Sequence, residues 1–252
     1  MDASDEELSV SSGFNSDDIH DAAILLDEGE LLRCLAAGVP VDHLFDGDTT
    51  ALHFACIAAG QGDNKVRAIR IIRILLRAGA SPNLVNDRGL SPLHIAAQMS
   101  GAPIVKLLIQ AGADVNLVDN DGGTALHFAA MLDKRECVAA LVTARIDVRR
   151  QDDAGMSALA HAIAHKNRHI IPILVRAGAW DYQGFPSGTF SNDARRAASP
   201  YLRKLRDAGS WQRYEERHRR ALATALARVV FSGLPVEMVS EVVAFAFHTG
   251  YY

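Results

Sequence analysis

The side chains best able to do chemistry are ten histidines and three cysteines, and their spacing decides what that chemistry is. His94 and His127 stand 33 residues apart, each directly after a leucine, and His53 follows Leu52 in the same way. Neutral imidazole can bind a metal or act as a general base. A histidine recurring at a fixed interval, however, is explained more simply as part of a repeated structural unit. His161 and His165, four residues apart, could present two zinc ligands on one helix face, but no acid or cysteine follows at ligand spacing. Asn167 occupies the turn slot that Gly101 fills earlier, so His169 should fall beyond that helix. Cys34, Cys56 and Cys137 are an odd set on apolar helix positions, which suits buried small hydrophobes in a reducing compartment. None has a base and an orienting partner nearby in the pattern. There is no Gly-rich phosphate loop and no paired-carboxylate motif. The expectation is a chain without enzymatic activity, metal or cofactor.

The elements that carry these residues repeat. Ser91-Pro92-Leu93-His94-Ile95-Ala96-Ala97 returns as Thr124-Ala125-Leu126-His127-Phe128-Ala129-Ala130, with an earlier copy at Thr50-Ala51-Leu52-His53-Phe54-Ala55-Cys56. A decayed fourth copy is Ser157-Ala158-Leu159-Ala160-His161-Ala162-Ile163. A motif of this kind at a 33-residue period marks one supersecondary unit stacked on copies of itself. The sequence resembles the ankyrin-repeat family, which implies an all-α ankyrin-repeat solenoid of helix-turn-helix units. The resemblance also implies that the recurring histidine hydrogen-bonds nearby backbone and ties one turn to the next. Gly89, Gly122 and Gly155 precede the motif where a tight turn asks for positive φ, and Asp48 takes that slot in the first full copy. Thr50, Ser91, Thr124 and Ser157 are expected to cap the first helix of each unit.

Composition and charge set the domain plan. Residues 1–15 are polar and acidic and read as a disordered arm. Five ankyrin units are expected over 16–181, the first and last degenerate, with Ile19, Ala22 and Ala23 facing inward on the first helix. Leu31, Leu32 and Leu35 should do the same on the second. Eight extra residues in the second unit are assigned to a loop at 58–65, a tolerated insertion. A linker at 182–192 leads into a C-terminal helical segment at 193–252 that caps the array. Its arginines, among them Arg213, Arg217, Arg219 and Arg220, are diluted by Glu215 and Glu216, so nucleic acid is not expected as a partner. No apolar stretch is long enough for a membrane span, and the acidic N-terminus lacks a secretory layout. A monomer in the cytoplasm or nucleus, not secreted, is expected.

The resemblance implies protein binding on the concave face, built from turn tips and first helices. The tips supply Asp87, Arg88 and Leu90, then Asn120 and Asp121, then Asp153 and Met156. The helices supply Gln98 and Met99, then Met131 and Leu132, then His165. Large apolar groups among Asp tips suit a protein partner of unknown identity carrying basic and apolar groups. Two smaller readings accompany this one. Leu107 with Ala113 to Asn116 looks like the stretch that asparagine hydroxylases accept in ankyrin proteins, which makes Asn116 a candidate for hydroxylation; the alternative is an amide bracing the turn between units. Leu234-Pro235-Val236-Glu237-Met238 resembles the opening of an F-box, with Leu234, Pro235, Met238 and Val242 as candidate contacts to a ubiquitin-ligase adaptor.

Overall fold

The computed structural model describes residues 17–62, 64–167 and 169–179, together with 213, 216, 217 and 220. Through residue 179 the helices come in successive antiparallel pairs. These are α1 (Asp18–Ile24) with α2 (Glu28–Ala36), α3 (Ala51–Ala59) with α4 (Lys65–Arg77), and α5 (Pro92–Ile95) with α6 (Ala102–Gln110). They continue with α7 (Ala125–Met131) and α8 (Arg135–Thr143), then α9 (Ala158–Ala164) and α10 (Ile171–Arg176). Among the described residues there are isolated β-bridges but no strands.

The first helices of the inner pairs are buried almost all round because they have neighbours on both sides. In α3, Ala51, Leu52, His53, Ala55, Cys56, Ala58 and Ala59 are all buried, which requires the small residues found there. The second helices are amphipathic. In α4 the buried positions are Ala68, Ile71, Ile72 and Leu75, one stripe at i, i+3, i+4, i+7, whereas Val66 stays exposed. In α2 the buried pair is Leu31 and Cys34. Leu32 is 49% exposed and Leu35 only partly covered, contrary to the sequence expectation, because α2 lies at the outer end of the stack and offers a narrower stripe.

The glycine expectation is borne out. Gly89, Gly122 and Gly155 take φ of 71°, 73° and 71°, and Asp48 takes 56°. At Gly89 the need is also spatial, since a Cβ there would meet the Asn120 side-chain oxygen at 2.6 Å and its backbone nitrogen at 2.7 Å. Second helices end on a left-handed residue, with Gly38, Gly79, Gly112 and Gly178 at φ between 81° and 96° and Arg145 at 63°.

The insertion is not a loop. Helix α3 has nine residues against seven in α7, and α4 has 13 against nine in α8, with the remaining excess in the connection after Ala59. Most of the added chain extends helices, whose backbone hydrogen bonds are satisfied internally. The extra turn at the start of α4 carries Arg67, whose guanidinium donates to the Leu26 carbonyl at 3.2 Å. The left-handed turn before α10 falls on Lys166, not Asn167. A π-helical stretch, Ala96–Ser100, lengthens the earlier connection and moves that turn to Gly101. Asn167 instead donates its amide to the Ala130 and Met131 carbonyls at 2.7 and 2.9 Å, closing the end of α7.

The chain divides into two compact parts, 1–189 and 190–252, and in the latter the described residues Arg213, Glu216, Arg217 and Arg220 are helical and exposed. Arg220 donates to Glu216 at 2.6 Å, an i, i+4 pair on a wet face.

Candidate functional site

Each recurring histidine is held from both ends. Backbone N–H groups of Thr50, Ser91 and Thr124 donate to Nδ1 of His53, His94 and His127 at 3.2, 3.1 and 3.0 Å, and the hydroxyls of the same residues lie within 2.7 to 2.9 Å of it. Because Nδ1 accepts, the proton sits on Nε2. From there it is donated to the carbonyls of Leu90, Gly123 and Arg150 in the following unit, at 3.0, 3.2 and 3.1 Å. Both ring nitrogens are used, which leaves none for metal or base chemistry. Burial drives the pKa of His53 down to about 4, against the raising effect of the carbonyls, and lowers His94 and His127 as well. The rings are therefore neutral near pH 7.

The candidate binding face is assembled from the same turns. Each tip donates to the one before it: Asp87 N–H to the Gly47 carbonyl at 2.9 Å, Asn120 to Arg88 at 3.1 Å, and Asp153 to Asp121 at 3.0 Å. Asn86 and Asp119 brace their tips internally, their side-chain oxygens accepting from Leu90 and Gly123 N–H at 2.9 and 2.7 Å. Asp87, Arg88, Asn120, Asp121 and Asp153 are exposed at the ends of these rigid turns, and Leu90 and Met156 are half-buried beneath them. On the helices, Met99 is 39% and Leu132 42% exposed, His165 is exposed, and Gln98 and Met131 are half-buried. Asn116 is exposed, and its side-chain oxygen accepts from Asp147 N–H at 2.9 Å, bracing one unit against the next. Leu234, Pro235, Met238 and Val242 lie outside the described residues.

His161 is engaged differently from its predecessors. Alanine (Ala160) holds the slot of the recurring histidine, and His161 stands in the place of Phe54 and Phe128, edge-on to His127 with ring centroids 5.7 Å apart. Its Nε2 meets Asp152 Oδ2 at 2.7 Å, and its ring stacks on His165 at 6.4 Å. Burial pushes the Asp152 carboxyl up, but hydrogen bonds from His161 and Met156 N–H and the nearby imidazoles outweigh it, and its pKa falls below the usual value. The acid that pairs with this histidine lies nine residues upstream, where a search for following ligands does not look. Cys34, Cys56 and Cys137 are free and buried, and burial pushes all three thiols up, away from the reactive thiolate.

One histidine escaped the sequence reading. Ile19-His20 stands in the degenerate first unit as Leu52-His53 does in the second, and His20 Nε2 lies 2.9 Å from the His43 carbonyl. Burial lowers its pKa, with His43 acting in the same direction and Asp17 and the His43 carbonyl opposing. Aligning the first unit on Leu-His would have found it.

A family model for ankyrin repeats matches residues 19–119, 64–152 and 93–184. These overlapping matches extend from α1 past the end of α10, and the chain belongs to the ankyrin-repeat family. No curated protein matches the sequence. Ankyrin repeats are in general protein–protein interaction modules, typically non-enzymatic. Among the described residues no helix is long and apolar enough to cross a membrane.

Proposed function

We propose that this protein is a non-enzymatic interaction module that docks a protein partner on the concave ankyrin surface. The observation that carries this reading is register. Met99 and Leu132 occupy equivalent positions 33 residues apart, both substantially exposed, beside a ladder of aspartate-bearing tips. Burying methionine and leucine is worth roughly 1.5–3 kcal/mol per side chain when complete, so a partner that covers them gains affinity. Asp87, Asp121 and Asp153 at the rim favour lysine or arginine on that partner and disfavour phosphate. Asn116 is a separate candidate: its exposure leaves it open to a hydroxylase, and peptide mass mapping from the native host would show the added oxygen. The ligase-adaptor reading of Leu234, Pro235, Met238 and Val242 rests on the motif alone and takes second place.

The test is affinity capture with the wild type, a Met99→Ser, Met131→Ser, Leu132→Ser variant, and a Lys106→Glu control on the second-helix side. Partners recovered by the wild type and the control, and lost with the triple variant while its helicity is intact, support the reading. Equal recovery by all three proteins would rule out the named surface.

A further inference from the structure

We infer that Asp17, His20 and His43 form a binding site for a divalent transition-metal ion of borderline softness, with zinc as the natural probe. In the three following units the residue at the helix cap is Thr50, Ser91 or Thr124, in extended backbone with ψ of 165° to 168°, and its N–H and hydroxyl serve the histidine Nδ1. In the first unit the cap is Asp17, with helical backbone at φ −79°, ψ −20°. Its N–H is not delivered to the ring, and its side chain is a carboxyl group where the other caps carry a hydroxyl.

The tautomer follows from the other nitrogen. A carbonyl oxygen only accepts, so His20 Nε2 carries the proton and donates it to His43, which leaves Nδ1 with a bare lone pair. That atom is buried without a hydrogen-bond partner, in a side chain only 3% exposed, and His43 Nδ1 is likewise buried and unpartnered. The ligand atoms of Asp17, His20 and His43 all lie within 4.8 Å of one another. His43 Nδ1 becomes an acceptor when the proton sits on Nε2, and a cation placed among the three residues would then give both rings the partner they lack. The Phe45 and Phe54 rings stand with their centroids 5.2 and 5.7 Å from that of His20 and give the site an apolar wall on one side.

Two imidazole nitrogens and a carboxylate suit zinc and its neighbours better than calcium or magnesium, and a water would complete a tetrahedron. The Nε2–H bond to a backbone carbonyl is the outer contact that orients a metal-bound histidine. His43 lies in the turn after α2, so an ion here would clamp that turn to the start of α1. The recurring histidine would then have exchanged a hydrogen-bonding cap for a metal clamp at the end of the array.

The experiment titrates zinc chloride into the metal-free full chain and into Asp17→Asn, His43→Ala and His165→Ala variants. A single equivalent should bind the wild type and raise its unfolding temperature. Asp17→Asn and His43→Ala should each weaken binding by at least about tenfold and lose the thermal gain, with His165→Ala unchanged. Cobalt(II) should give visible d–d absorption in the wild type that both site variants lose. Circular dichroism checks each fold, and if one site variant fails to fold the other decides. No stoichiometric zinc uptake by the wild type, uptake that survives in a folded site variant, or uptake lost with His165→Ala overturns the proposal.

Discussion

His94 and His20 occupy equivalent places at the start of a first helix, yet one is closed in structure and the other is left open. Around His94 both nitrogens are satisfied, by Ser91 at the cap and by the Gly123 carbonyl in the next unit. Around His20 the outward half of that arrangement persists, through the His43 carbonyl, while the cap half is lost to Asp17. The ring is the same in both units. What differs is whether the cap residue can donate, and that one chemical change separates a structural histidine from a candidate ligand.

Acid should expose the closed histidines first and most strongly. His53 falls from 6.5 to about 4 on folding, so between those values the unfolded chain binds a proton that the folded chain refuses. Stability is therefore complete above pH 6.5, drops as the pH is lowered through this window, and has lost the full amount below about 4. His53 alone accounts for roughly 3 kcal/mol of that loss, and His94 and His127, lowered by the same burial, act in the same direction. Asp152 follows in a lower window, its contribution present above 3.8 and lost as pH falls through its depressed folded value. Urea unfolding between pH 7 and 4 measures the histidine window and its extension to pH 3 that of Asp152, and a flat profile above pH 4 would contradict the buried-neutral assignment.

Truncation sharpens the comparison. His94→Ala leaves the Gly123 carbonyl and Ser91 N–H unpaired in a buried site and should cost about 2–4 kcal/mol. His20→Ala in the metal-free protein strips a partner only from the His43 carbonyl, for about 1–2 kcal/mol. Equal shifts in urea midpoint would show that the two rings are held alike.

The turns offer a smaller contrast of the same kind. Gly89→Ala meets both a left-handed backbone and the close approach of Asn120, and should cost about 1–3 kcal/mol in thermal unfolding. Arg145 already bears the left-handed strain that Gly79, Gly112 and Gly178 avoid. Arg145→Gly should therefore stabilise by about 0.5 kcal/mol, the smallest effect here, and a loss would mean that the arginine's own contacts outweigh its backbone.

The amino-acid sequence by itself determined the repeat and the positive φ at Gly89, Gly122 and Gly155, and its resemblance to the ankyrin family implied the all-α fold and the tie between each recurring histidine and the next unit. Those features are legible because every copy solves the same local problem with the same residue types at the same spacing. The resemblance also implied a face carrying Asp87, Asp121, Asp153, Met99 and Leu132, all of which are exposed. Tertiary structure alone decided what happens where copies depart from one another. It spread the eight inserted residues mainly into α3 and α4, because helix extends at no cost in unsatisfied backbone. It moved the turn before α10 to Lys166 and turned Asn167 into a cap for α7. It also brought His43 to His20 across 23 residues of the least regular unit, and among the described residues it is there that the loss of a hydroxyl cap coincides with a cluster of candidate ligand atoms.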